Sequence, residues 1–235
     1  MQLTQLGAVE DGFPAPDCAL NDPNGLLAIG GDLQPQRLFE AYQNGIFPWY
    51  QAGEPILWWS PDPRAVFTPD SLHISRSMRR HTVKCQHYRL TLNQAFPRVV
   101  DLCRKIHRHQ GVWIHPEMVL AYTRLYQQQR ACSVELWNEQ QQLVAGMYGV
   151  RVASCFSAES MFHLETNASK LLLQQFAVQF FKAGGRLLDG QIMNPHLARL
   201  GAIEMPRNSF LEHLNTAESE SLRAFWQLKT LSIGI

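Results

Sequence analysis

The sequence predicts a mixed α/β (α+β) protein whose main sheet is mostly antiparallel. Segments 132–137, 143–150 and 152–157 have the apolar pattern of three consecutive strands, with turn residues between the first two. A long amphipathic helix follows, with Asn167 as its N-cap and Gly184-Gly185 at its end, and 186–189 is a short apolar strand. A meander, a long helix and a further strand together indicate this class.

Four other helices are predicted from their start and stop signals. They are expected from Pro35 to about Asn44, near 94–107, over 116–128, and from Asn194-Pro195 to Gly201. The first 61 residues are rich in proline and glycine, which predicts a small, irregular N-terminal domain at 1–62. Residues 63–235 then form the second domain.

The composition is that of an ordinary globular protein, with 46% hydrophobic and 17% charged residues. No apolar run approaches the roughly 20 residues of a membrane span, and the first residues lack the pattern of a secretory signal. We therefore expect a cytoplasmic protein without a membrane segment. The cysteines are odd in number and never form CxxC, which predicts reduced thiols rather than disulfides or a zinc site: Cys18, Cys85, Cys103, Cys132 and Cys155.

Positive charge is concentrated in one segment, although the net charge of the chain is only +1. Residues 73–108 hold nine basic side chains against the single acid Asp101, and the rest of the chain has a net charge of −7. Such a segment suits a phosphate backbone, and a solvated charged face is the alternative. The tryptophans that precede it, including Trp49, Trp58 and Trp59, favour nucleic acid.

Two carboxylates, Glu159 and Asp189, are predicted to follow the ends of strands, which is where open sheets place their sites. Gln191 lies two residues beyond Asp189 and is therefore expected on the same strand face. The residues alone leave two alternatives open. These carboxylates either form a site, or cap a turn and the next helix.

Several long, tryptophan-rich strings resemble the leucyl/phenylalanyl-tRNA–protein transferases, over nearly the whole chain. The strings are FPAPDCALNDPNGLLAIGGDL (13–33), GIFPWY (45–50), WWSPDPRAVF (58–67), LHISRSMRR (72–80), AESMF (158–162) and LLDGQIMNPHLARLGA (187–202). The resemblance implies an acetyltransferase-like (GNAT) fold in the second domain. It also implies a monomer that needs no cofactor or metal.

The activity implied is transfer of Leu, Phe or Met from Leu-tRNA, Phe-tRNA or Met-tRNA to proteins that begin with Arg or Lys, which marks them for N-end-rule degradation. By the same resemblance Glu159, Asp189 and Gln191 are the catalytic residues. Asp189, with or through Gln191, would orient and deprotonate the attacking amine. Glu159 would help to form the pocket for the cationic acceptor residue.

The resemblance also assigns the tRNA-binding residues. Trp49 and Trp113 would flank the terminal adenosine, whereas Trp58 and Trp59 are interpreted as packing residues. The acceptor-stem phosphates would be bound by cations of the basic segment, as positioning contacts: Arg76, Arg79, Arg80 and Lys84.

An apolar pocket for the aminoacyl side chain is implied around Met147, Phe156, Met161 and Phe176, all of which could otherwise be ordinary core. The family pattern is broken at three positions, where Ala158, His163 and Cys132 replace the usual Gly, Ser and His. If that glycine normally has a positive φ, Ala158 costs about 1 kcal/mol or shifts the pocket floor.

The sequence also bears on three alternatives to this mechanism or function. A thioester on Cys155 or Cys132 is disfavoured because both lie in apolar strands without a basic neighbour. An acetyl-CoA-dependent acetyltransferase would need a glycine-rich loop before the long helix, and 160–167 contains no glycine. A noncatalytic tRNA-binding module would not explain Glu159, Asp189 and Gln191 together.

Overall fold

The computed structural model describes residues 3–7, 11–107 and 113–234. Within these residues, no helix is both long and apolar enough to cross a bilayer. The same residues contain no group of three or more His, Cys, Asp or Glu side chains arranged to hold a metal ion.

The described residues among the first 60 contain a four-stranded sheet of short strands, which the sequence did not predict within this small domain. Its strands have the order β1-β2-β4-β3, with β1 parallel to β2 and the other pairs antiparallel. They are β1 (Thr4–Leu6), β2 (Leu26–Gly30), β3 (Phe47–Pro48) and β4 (Leu57–Trp59). In strands of two to five residues the alternation of apolar and polar residues is too short to be recognised. The many prolines and glycines around them therefore predicted irregular structure.

A larger sheet of eight strands follows, in the order β11-β5-β10-β9-β8-β7-β6-β12. Its pairs are antiparallel except for the parallel pair β9 and β10. The strands are β5 (Arg64–Phe67), β6 (Arg89–Leu92), β7 (Ala131–Trp137), β8 (Leu143–Val152), β9 (Cys155–His163), β10 (Leu187–Gln191), β11 (Ile203–Met205) and β12 (Thr230–Leu231). The predicted mixed, mainly antiparallel sheet is confirmed, as is the order of meander, long helix and strand.

The predicted helices are confirmed to within about two residues at their ends. They are α1 (Pro35–Gln43), α3 (Phe96–His107), α4 (Pro116–Gln127), α5 (Ala168–Lys182) and α6 (Pro195–Leu200). Three helices were not predicted, namely α2 (Arg76–Lys84), α7 (Arg207–Leu214) and α8 (Glu220–Trp226). The segment RSMRRHTVK of α2 is mostly polar, and only Met78 and Thr82 are buried, so it has too few apolar residues for the helix to be recognised from an apolar face.

Hydrophobic cores cover both faces of the larger sheet. One core contains side chains of α2, α5 and α8, whereas the other joins the small sheet and α1 to α3 and α4. In the second core, Tyr42 and Trp58 belong to the same cluster as Phe96 and Tyr122. The boundary proposed at 62/63 coincides with the change from one sheet to the other and stays a prediction.

The turn between β8 and β9 lies at residues 153 and 154, two to three residues later than predicted. Glu159 therefore lies inside β9, and the expectation that it follows a strand end is wrong. Its position is nevertheless irregular. Tyr148 pairs with Ser160 and Gly149 with Ala158, which leaves Glu159 as the extra residue of a β-bulge.

Candidate active site

A cavity of about 410 Å³ opens where β9 and β10 separate. The parallel pairing of these strands ends at Ser157 and Asp189. Glu159 and Gln191, which follow on the two strands, line the cavity together with Asp189. The structure thus brings together the three residues predicted to be catalytic.

Two bulges shape this junction. One is at Glu159 and the other is at Gly190, where Asp189 pairs with Val66 but Gln191 pairs with Ala65. Opposite the first bulge, a Cβ atom at Gly149 would collide with the carbonyl oxygen of Ser157, so this position requires glycine. Asp189 and Gln191 line the same cavity, but the second bulge interrupts the alternation of β10, so their two-residue spacing is not the reason for it.

Asp189 is completely buried and accepts four hydrogen bonds. Arg64, itself 1% exposed, donates from Nε to Oδ1 and from Nη2 to Oδ2, both at 2.8 Å. Ser157 Oγ donates to Oδ2 and the backbone amide of Gln191 donates to Oδ1, again at 2.8 Å. These donors occupy the lone-pair positions of the carboxylate, so Asp189 orients its neighbours and has no position free for a substrate proton.

Arg64 is the main component that the sequence interpretation missed. Its guanidinium lies 4.7 Å from the ring centroids of both Phe47 and Phe210, and its Nη1 donates to the carbonyl of Gly45 at 3.0 Å. A single arginine at the start of the short apolar strand β5 was the available signal, because such a residue is rarely buried without an acidic partner.

Glu159 is 9% exposed and is held between a tyrosine and a glutamine. Tyr122 Oη donates to Oε2 at 2.6 Å, and Gln191 Nε2 donates to Oε1 at 2.8 Å. Tyr42 extends the network, with 2.7 Å between its hydroxyl and that of Tyr122. Burial raises the pKa of Glu159 to about 7, although both tyrosines stabilise the carboxylate. Neither tyrosine carried a sequence signal beyond an apolar helix face.

Gln191 is fixed at two points. Its backbone amide is bound to Asp189 and its side-chain amide to Glu159, and it has a left-handed φ of 64°. A non-glycine residue in this region costs about 1–2 kcal/mol, so the surrounding hydrogen bonds must maintain it. The side-chain carbonyl oxygen is left to accept a hydrogen bond from a bound group.

The apolar wall of the cavity includes three of the four residues assigned to the aminoacyl pocket, Met147, Phe156 and Met161. The fourth, Phe176, does not line it. Its ring is fully buried behind Phe156, with 5.2 Å between ring centroids. Within the described chain, Ala158 is not among the residues with a positive φ, so the strain considered for this position does not arise.

Both tryptophans assigned to the adenosine line the same cavity. Trp49 is 43% exposed, and its carbonyl oxygen accepts a 2.8 Å hydrogen bond from Nε1 of Trp59. Trp113 is half-buried. Trp58 is fully buried and donates to the carbonyl of Gly30, which confirms its packing role.

The basic segment separates into two parts. Arg104 and Lys105 both pair with Asp101, and Arg89 and Arg98 lie over the ring of Trp137. Arg108 lies outside the described residues. The cations assigned to tRNA are exposed on α2, and none of them has a carboxylate partner among the residues that the structure describes: Arg76, Arg79, Arg80 and Lys84.

The thiols near the sheet are poor nucleophiles. Cys132 and Cys155 are buried, and burial raises the pKa of each to about 12. A thiolate is therefore scarce at neutral pH, which agrees with their interpretation as core residues.

Known proteins match most of this chain. A family described as leucyl/phenylalanyl-tRNA protein transferase matches residues 66–215, and the N-terminal domain of the same family matches 31–62. The proteins named leucyl/phenylalanyl-tRNA–protein transferase from Salmonella arizonae and Salmonella paratyphi A are 51% and 50% identical over 232 residues, 98% of each chain.

A solved GCN5-related N-acetyltransferase from Kribbella flavida aligns with 72% of this chain and 60% of its own length, at 11% identity and a TM-score of 0.36. The family matches and the identity over nearly the full length decide the assignment. This chain belongs to the leucyl/phenylalanyl-tRNA–protein transferase family.

Proposed function

We propose that this protein transfers Leu, Phe or Met from aminoacyl-tRNA to the N-terminal α-amino group of proteins that begin with Arg or Lys, marking them for N-end-rule degradation. The observation that carries this proposal is the cavity between β9 and β10. This one cavity has an apolar wall that suits an aminoacyl side chain, two tryptophans that suit an adenine and a polar cluster that suits an amine.

The donor would occupy the apolar side of the cavity. Its aminoacyl side chain would contact Met147, Phe156 and Met161, whose flexible thioethers and ring can accommodate linear, γ-branched and flat groups. The adenine would stack against Trp49 and Trp113, at about 1–3 kcal/mol per stacked base. The exposed cations of α2 would bind phosphates farther along the tRNA.

The acceptor would enter beside Glu159. Among the described residues that line the cavity, the acids are Glu159 and Asp189, and Arg64 already neutralises Asp189. Glu159 is therefore the anionic group available to an Arg or Lys side chain. A charge-assisted hydrogen bond in this buried position is worth about 1.5–3 kcal/mol, and a bound cation would favour its ionised form.

In the reaction, the neutral amine nitrogen forms a bond to the ester carbonyl carbon and the carbon–oxygen bond to adenosine breaks. One proton passes from the nitrogen to the departing ribose oxygen. Gln191 would accept a hydrogen bond from the amine through its side-chain carbonyl, while Asp189 holds Gln191 in place. Since oriented reactants reach effective molarities of about 10⁵ M or more, this arrangement needs neither a metal nor a cofactor.

We also propose that the protein acts as a cytoplasmic monomer. The four cysteines that are buried are unpaired, as in a reducing compartment.

The test is transfer from Phe-, Leu-, Met- and Val-tRNA to peptides that begin with Arg, Lys or Ala. The wild-type protein should use the first three donors with Arg and Lys peptides, and should use Val-tRNA and the Ala peptide poorly. Gln191→Ala should reduce kcat by about 100-fold with tRNA binding retained, because it removes an orienting group. Gln36→Ala, an exposed glutamine on α1, is the matched control.

Absence of transfer by the wild-type protein from any charged tRNA would contradict the proposal. Equal rates for Gln191→Ala and Gln36→Ala would remove Gln191 from the mechanism. Asp189→Asn is a poor probe, because it also breaks the buried ion pair with Arg64.

A further inference from the structure

A second cavity, of about 270 Å³, lies on the other side of α6 from the candidate active site. Leu197 of α6 and its N-cap Asn194 line the active-site cavity, whereas His196 and Arg199 of α6 line this one. The first turn of α5 contributes Lys170, the segment leading into α2 contributes His73 and Ser75, and the first turn of α2 contributes Ser77. We call this space the α2–α5–α6 cavity.

The charges of the α2–α5–α6 cavity are all of one sign. Its described lining includes Lys170, Arg199 and two histidines but no Asp or Glu. Neither Lys170 nor Arg199 has a carboxylate within 4.0 Å in the part of the chain that the structure describes. Burial and then the charges of Lys170 and Arg199 lower the pKa of His196, as expected where cations are close together without an anion.

Neutral donors complement these cations. The hydroxyls of Ser75 and Ser77 lie 2.9 Å apart at the start of α2. Asn167, the N-cap of the 15-residue helix α5, makes no side-chain capping hydrogen bond. Ser75 Oγ already caps α2 by accepting from the backbone amide of Met78, so the positive helix end that remains open to this cavity is that of α5. It meets cationic and hydroxyl side chains there, an arrangement that suits a phosphate group.

The position of the cavity indicates which phosphate it would hold. One helix, about 10 Å in diameter, separates it from the space proposed for the terminal aminoacyl-adenosine. It is also continuous with α2, whose exposed cations begin at Arg76. We propose that the α2–α5–α6 cavity binds a backbone phosphodiester of the tRNA 3′ strand, and that Lys170 and Arg199 are its main ligands. This inference rests on the proposed use of aminoacyl-tRNA.

The test compares two double variants that each remove two positive charges. Lys170→Gln with Arg199→Gln changes the cavity. Lys182→Gln with Arg186→Gln removes two exposed cations, one at the opposite end of α5 and one just beyond it, and serves as the control. Binding of uncharged tRNA is measured from 50 to 300 mM salt. The cavity variant should bind about 10-fold more weakly than the control at low salt, and its slope of log K against log salt should be smaller by about 1–2.

Aminoacyl-adenosine, which has no phosphate, should bind both double variants equally. If the cavity variant does not fold, Ser77→Asp places a negative charge at an exposed position of the same cavity and should weaken tRNA binding by a similar factor. Equal tRNA affinity for Ser77→Asp and the wild-type protein would contradict the inference.

Equal tRNA affinity and salt dependence for the two double variants would also contradict the inference. The inference also fails if inorganic phosphate binds the wild-type protein and not the cavity variant while tRNA binds both double variants equally, since the cavity would then hold only a free anion. A wild-type protein whose tRNA binding depends on Lys170 and Arg199, but which transfers no aminoacyl group, would contradict the proposed function and leave this site supported.

Discussion

Glu159→Gln should change how the free energy of unfolding depends on pH. Burial raises the pKa of this carboxyl from 4.5 to about 7 in the folded protein. Between these values the folded protein keeps a proton that the unfolded chain has released. The stability linked to this proton is therefore complete below about pH 4.5 and is lost as pH rises through about 7.

The magnitude follows from the two pKa values. At 1.36 kcal/mol per pH unit, the difference between 4.5 and about 7 corresponds to about 3 kcal/mol, most of which is lost between pH 5 and 8. Glutamine has nearly the same shape and does not titrate. Relative to the wild-type protein, Glu159→Gln should therefore be about 2–3 kcal/mol more stable at pH 8 than it is at pH 5.

Urea unfolding of both proteins at pH 5 and pH 8 measures how this difference in stability changes with pH. The other titrating groups are the same in the two proteins, so their contributions cancel. Glu204→Gln is the control, because Glu204 is exposed in β11 and changes its solvation little on folding. A difference for Glu159→Gln that stays constant between pH 5 and 8 would refute the argument that the buried carboxyl titrates near neutrality.

Three further predictions concern the buried Arg64–Asp189 ion pair, the adenosine site and the apolar wall of the cavity. Arg64→Gln should lower the unfolding free energy by about 3–5 kcal/mol in urea titrations, since it leaves the charge of Asp189 buried without its partner; a loss below 1 kcal/mol would contradict this. Trp49→Ala should weaken equilibrium binding of aminoacyl-adenosine by about 1–3 kcal/mol, and unchanged binding would exclude stacking. Phe156→Ala and Phe176→Ala should each cost about 3–5 kcal/mol of stability. The relative transfer rates from Leu-, Phe- and Val-tRNA should change more for Phe156→Ala than for Phe176→Ala, because only the Phe156 side chain lines the cavity.

The sequence by itself determined the elements whose signals are local. Pro35 and Asn194-Pro195 mark helix starts and Gly201 a helix end, and all three are where the structure has them. The strong apolar patterns predicted the meander and the long helix α5. These signals work because capping and periodicity act between residues that are close along the chain. The resemblance added the identity of Glu159, Asp189 and Gln191, which residue patterns alone left open.

Only the tertiary structure decided how that site is built. Arg64 reaches Asp189 across 125 positions, and Tyr42 meets Tyr122 across 80. Both bulges arise where the pairing of neighbouring strands shifts, and that register depends on the partner strand as well as on the local sequence. The raised pKa of Glu159 likewise comes from burial, which is a property of the packed protein. Pairing and desolvation depend on residues distant in sequence, and for that physical reason they could be decided only by the fold.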